Sequence, residues 1–150
     1  MIRTREGVGA INEAIRFLRH ARPLALLVAS PGMSMAATEH VAEQAGGALG
    51  HRGSDFSDPG DRLNRHGTWK ELWGENIAYG KLTARDLVVA LIVDDGLRGR
   101  KHRKNIFNPA FHYTGVAVGP HARYRTVCNI DFAGSYIEAG ANSRSLLARN

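Results

Sequence analysis

At 150 residues, 43% of them hydrophobic and 23% charged, the chain can bury a core of its own and has the composition of a folded soluble domain. The single cysteine, Cys128, excludes an intrachain disulfide framework. The apolar run LALLVA at 24–29 is too short to span a bilayer. The formal charge of +6 admits an anionic partner, whether nucleic acid, a membrane surface or an acidic glycan, without choosing among them.

Charged residues recur through the first 20 positions, so no signal-peptide pattern opens the chain. Val8, Ile11, Ile15 and Leu18 fall at helical spacing and predict a first helix over about residues 6 to 20, stopped by Pro23. Ser30-Pro31 reads as an N-cap followed by proline at the first helical position, and Gly46-Gly47 ends that second helix. Met33, Ala37, Val41 and Gln44 would share its face. Residues 50–67 are rich in Gly, Asp and Ser and read as a loop with at most one short helix, over residues 59–66.

Residues 72–79 suit a short strand. Thr83, with Asp86 three positions on, resembles a capping box and opens LVVALIV, apolar on every side and therefore expected as a buried helix ending at Asp94-Asp95-Gly96. A buried strand is the second reading of that run. Residues 113–118 and 126–133 read as two strands joined through GPHARYR as a hairpin. Helices before a terminal antiparallel pair predict an α+β fold with helices layered on a small sheet. Residues 1–138 are expected as a single domain and 139–150 as a loosely held C-terminal tail.

Chemistry concentrates in a few places. Arg98, Arg100, Lys101, Arg103 and Lys104 surround His102, and such a run can neutralise phosphates. No aromatic residue interleaves it before Phe107 and no nucleic-acid-binding motif accompanies it, so a solvated surface is favoured over nucleic acid. Among seven histidines there is no HExxH pair, but His51 in GHRGSD and His102 in KHRKN both sit among turn formers, where functional side chains gather. Glu75 lies in a segment fit to be a strand beside the core and must be paired, hydrogen-bonded or liganded there. Pairing with an arginine such as Arg62 would satisfy it, and so would a metal. Asp94 and Asp95 close a helix whose dipole disfavours them, which calls for the downstream Arg and Lys or, again, a metal. Cys128 inside TVCNIDF is expected as a buried small hydrophobe, and no GxSxG or SxxK nucleophile is present.

SPGM at 30–33, GHRGSDFSDPGDRLNRHG at 50–67, GENIAYG at 74–80 and HRKNIFNPAFHYTGVAVG at 102–119 occur in an order and spacing that resemble the bacterial branch of the CAP superfamily. Its SCP domain is shared with cysteine-rich secretory proteins, antigen five and pathogenesis-related plant proteins. The resemblance implies a three-layer α-β-α sandwich with a small, mainly antiparallel central sheet. It also implies a cleft carrying two histidines and two acids, which in several members hold a divalent metal such as zinc. His51 matches the first histidine, Glu75 the first acid and His102 the second histidine. Asp95 is the best match for the second acid, with Asp94 the alternative; Asn76, Arg103 and Asn105 would line the rim.

Relatives often carry Ser-Pro-Gly-His where this chain has Gly-Arg-Lys-His, and the added positive charge works against a cation at His102. The resemblance implies a binding module taking a small molecule, lipid or envelope glycan, outside the cell or in the envelope; the lack of a leader would suit the cytoplasm as well. A metal-assisted hydrolase using the same residues is the alternative, because two imidazoles and a carboxylate leave zinc an open position. A polyanion-binding module through 98–104 is the third.

Overall fold

The structure, a computed structural model, describes residues 4–80 and 83–140. From 141 onward the expected tail lies outside the described residues. The chain divides into two compact units, residues 26–81 with 110–150 and residues 1–25 with 82–109.

The first of these units is built on a four-stranded sheet with helices on it, the α+β class expected. Strand β1 (Val28–Ala29), helices α2 (Pro31–Gln44) and α3 (Pro59–His66) and strand β2 (Gly67–Tyr79) come first. Strands β3 (Tyr113–His121) and β4 (Arg125–Glu138) close it. The sheet order is β1-β3-β4-β2, with β1 parallel to β3 and both other pairings antiparallel. All three longer strands outrun their sequence predictions, and the two-residue β1 was read only as part of an apolar run. It is a strand because the amides of Val28 and Ser30 donate to the carbonyls of His112 and Thr114, a pairing no local pattern reveals.

Helix α2 starts as its sequence dictates. Ser30 Oγ accepts from the Met33 amide, Pro31 needs no partner, and Glu138 adds a carboxylate against the Gly32 amide at 2.9 Å. Its Met33, Ala37, Val41 and Gln44 are all buried. One hydrophobic cluster joins Met33 and Ala36 to Leu63, Ala133 and Tyr136, and another joins Val41 to Ile77 and Val127. Helix α3 carries a full capping box between Asp58 and Asp61, with Pro59 behind the cap. That local signal fixes which residues of α3 turn inward, namely Arg62 and Leu63.

The other unit consists of helices α1 (Val8–His20), α4 (Ala84–Val93) and α5 (Lys101–Ile106). Ala10, Ala14 and Val93 form its small core, flanked by Ile11 and Ile92. Helix α4 opens at Thr83, whose hydroxyl accepts from the Asp86 amide, and ends at Asp94 in the left-handed region. The expectation that LVVALIV is buried all round is corrected: it is a helix, but Val88 and Val89 are exposed. His102 is also not in a loop, because 101–106 close a short helix, α5.

Gly115 of β3 sits where α2 crosses the sheet, and a Cβ there would drive into the Met33–Ser34 backbone. A Gly115→Ala variant should lose about 2 kcal/mol of stability through overpacking, read as a lower urea midpoint with an unchanged slope.

Candidate functional site

Arg62 and Glu75 meet in the sheet-containing unit, where each side chain is 1% exposed. The guanidinium donates through Nη2 to Glu75 Oε2 at 2.8 Å and to the His51 carbonyl at 3.0 Å, and through Nη1 to the Ser57 carbonyl. The other Glu75 oxygen, Oε1, lies 2.6 Å from His51 Nδ1. A carboxylate only accepts, so Nδ1 carries the proton and the imidazole is held in one tautomer. The ring itself is 55% exposed.

The loop that delivers His51 is fastened from α2 and β2. The Gly50 amide donates to the Tyr79 hydroxyl at 2.9 Å, Tyr79 donates to Gln44 Oε1, and Gln44 Nε2 donates to the Gly50 carbonyl. His40 packs its ring against the same carbonyl at 2.9 Å, with its other nitrogen 3.1 Å from Glu43.

Sequence reasoning missed Asp131. It pairs directly with Glu75 across β4 and β2 and is 1% exposed, with its Oδ1 buried and without a hydrogen-bond partner among the described residues. Asn129 Nδ2 donates to its Oδ2 at 3.3 Å. Two carboxyls facing each other out of water disfavour both being charged. Burial, followed by the neighbouring Glu75 charge, holds Asp131 well above the usual carboxylate range. Glu75 goes the other way: burial pushes it up, but the His51 bond and the Arg62 charge together hold it below its ordinary value. The signal was present in TVCNIDF, where alternation puts Asp131 on the same face as Val127 and Asn129, but only β-strand register sets it against Glu75.

In the helical unit, His102 has a carboxylate of its own. Its Nδ1 lies 2.7 Å from Asp94 Oδ1, and its backbone amide donates to Asp94 Oδ2 at 2.9 Å. The expected acid, Asp95, instead accepts from the amides of Arg5 and Glu6. Asp94, not Asp95, is therefore the acid that accompanies His102. A left-handed turn at Asp94 swings its carboxylate back over the start of α5, and a helix-terminal Asp pair does not reveal which member makes that turn.

The basic run is partly structural. Arg103 forms a two-pronged bond to Glu13 at 2.6 and 2.7 Å and donates to the carbonyls of Ile92 and Val93. Arg100 binds both oxygens of Glu6 and the Asp94 carbonyl. These arginines cap the last carbonyls of α4, which the macrodipole makes negative, and Arg100 holds the Glu6 carboxyl down to about 2. Arg98, Lys101 and Lys104 are exposed. Of the expected rim residues, Arg103 and Asn76 are buried and Asn105 is half-buried, so the first two face the interior. Cys128 is buried as expected, and burial pushes its thiol up to about 11.

Among the described residues no group of three or more His, Cys, Asp or Glu is placed to hold a metal ion. Both Glu75 oxygens are already engaged, and Arg62 supplies the positive charge a cation would otherwise bring. Glu75 therefore does not fit as a direct ligand, whereas an imidazole with Nδ1 fixed by a carboxylate is how metal-binding histidines are commonly held.

A model of the cysteine-rich secretory protein (CAP) family matches residues 9–130. YkwD, an uncharacterized protein of Bacillus subtilis (strain 168), is 36% identical over 66 residues, 44% of this chain and 24% of that protein. An outer surface protein from Borrelia burgdorferi superposes with a TM-score of 0.62 at 18% identity, covering 88% of this chain and 95% of its own. An extracellular SCP-domain protein from Bacillus anthracis str. Ames gives 0.54 at 27% identity, covering 83% of this chain and 40% of its own. The chain belongs to the CAP family.

Removing one partner of the buried pair should be costly: Arg62→Ala leaves the Glu75 carboxylate enclosed without its cation and should lose about 3–5 kcal/mol, measured by urea unfolding. Asp131 makes a separate, pH-dependent contribution. A carboxyl raised on folding favours the folded state in acid and loses that contribution as pH rises past the ordinary range toward its folded value. Asp131→Asn keeps the shape and removes the titrating group, so its melting temperature relative to the parent should climb as pH rises above the ordinary carboxylate range. A difference that stays constant would show that Asp131 ionises normally.

Proposed function

We propose that this chain is a CAP-family binding module whose ligand contacts the His51 imidazole, with Glu75 and Arg62 as the buried apparatus that holds it. The observation supporting this reading is the arrangement of an exposed ring on a fully engaged, buried carboxylate. Such a ring loses little freedom on binding, because its tautomer and direction are already set. A small molecule, a lipid or an envelope glycan each offers oxygen atoms that an imidazole can meet.

A divalent metal, zinc foremost, remains part of the proposal through imidazole nitrogens. His51 presents Nδ1 to Glu75 and, in the helical unit, His102 presents Nδ1 to Asp94, the arrangement in which metal-binding histidines are commonly held. When bound, zinc would polarise a ligand oxygen. The hydrolase reading asks Glu75 to act as a general base, and efficient bases titrate near the working pH. Glu75 is held below its ordinary value, which favours binding over turnover. The relatives of known setting, an outer surface protein of Borrelia burgdorferi and an extracellular protein of Bacillus anthracis, support an exported or envelope-associated place. Among the described residues no helix is long and apolar enough to cross a membrane.

Zinc chloride should raise the melting temperature of the wild type more than that of His51→Ala or His102→Ala; an equal rise in all three removes the metal from the reading. Turnover on a panel of esters, peptides and glycans that disappears in His51→Ala would replace the binding module with a hydrolase.

A further inference from the structure

Of the four apolar positions that predict α1, only Ile11 packs against the core. Ala10 and Ala14 face the core of the helical unit, while Val8, Ile15 and Leu18 are 68%, 42% and 44% exposed. Val8 and Ile15 lie seven residues apart and Ile15 and Leu18 three, so they share one edge of the helix, which the half-buried Ile11 joins to the core. Around the cylinder from that edge come Arg19 and Arg16, both exposed, with Arg22 and the exposed Leu24 just beyond the helix end. The one acid in α1, Glu13, turns away from this sector and is bound by Arg100 and Arg103.

Charge in the two units is unequal. Residues 1–25 and 82–109 hold eleven Lys and Arg against five Asp and Glu, while residues 26–81 and 110–150 hold nine against nine. The chain's entire +6 therefore falls in the unit that carries the apolar edge.

We propose that α1 is a membrane-surface helix that docks on anionic lipid. An apolar edge flanked by arginines on a helix of low overall hydrophobicity is the form that lies in the plane of a bilayer, its aliphatic side chains at the acyl boundary and its cations among the headgroups. The charge decides between partners. A second copy of this chain would bring a like-charged surface to the same edge, whereas an anionic leaflet brings the complement. This interface is independent of the His51 reading.

Flotation with the intact protein tests it, using vesicles of phosphatidylcholine alone or with about 30 mol% phosphatidylglycerol. The wild type should float with the anionic vesicles only, and should release when salt rises from about 0.05 to about 0.5 M, where the Debye length falls below the width of a headgroup layer. The double variant Ile15→Ser/Leu18→Ser should lose binding. Arg16→Gln/Arg19→Gln/Arg22→Gln should weaken it about a hundredfold. All five positions are exposed, and unchanged circular dichroism and melting would establish that both variants fold. Equal flotation on neutral vesicles, no flotation at all, or binding that survives both variants overturns the proposal. So does a dimer, seen by sedimentation velocity, that dissolves in the Ile15/Leu18 variant while no vesicles are bound.

Discussion

The sheet-containing unit depends on one guanidinium. Arg62 is enclosed, and an isolated charge in that position would cost far more than a helix cap or a strand pairing could offset. It is tolerated because its donors reach two backbone carbonyls and the Glu75 carboxylate at once. Those contacts gather the 51–57 loop, α3 and β2 around a single group. Glu75 is in turn tolerated because Arg62 neutralises it, and its second oxygen is thereby left to hold His51. The order of dependence runs from the interior outward: a capped helix aims an arginine, the arginine fixes a carboxylate, and the carboxylate fixes an exposed imidazole.

Asp131 completes this interior layer. With one cation against two carboxyls, the more deeply desolvated Asp131 is pushed up while Glu75 is held down. Of the two, Glu75 is the one favoured to carry charge, through its bonds to His51 and Arg62. The helical unit solves a similar problem differently, with Arg100 and Arg103 spanning the negative end of α4 and the Glu13 carboxylate of α1. In both units a positive side chain that reads as surface in the sequence works inside the fold.

Much of the architecture was legible in local signals. Ser30-Pro31, Asp58-Pro59 with Asp61, and Thr83 each marked a helix start that the structure reproduces, because capping is chemistry between residues a few positions apart. The alternation around Cys128 marked its strand. His51 and Glu75 stood out as a histidine in a turn-rich loop and an acid in a strand, and even the Arg62 pairing was anticipated. Asp95, Asp131 and the buried Arg103 were misread or missed. Each depends on a backbone turn, a strand register or a neighbouring helix rather than on its own surroundings in the chain.

The amphipathic stripe of α1 shows where the division falls. Periodicity established that residues 8–18 form a helix with an apolar edge, since that follows from the spacing of side chains on one cylinder. It did not establish which edge the protein would bury, because burial is settled by what packs alongside, and here the small Ala10 and Ala14 permit the closer approach. By itself the sequence determined element types, their caps and the family's motif positions, all of them short-range or pattern properties. The tertiary structure alone decided which carboxylate reached which histidine, which carboxyl was pushed up and which arginines were left for solvent, because each of those is set by desolvation and by charges far apart in the chain.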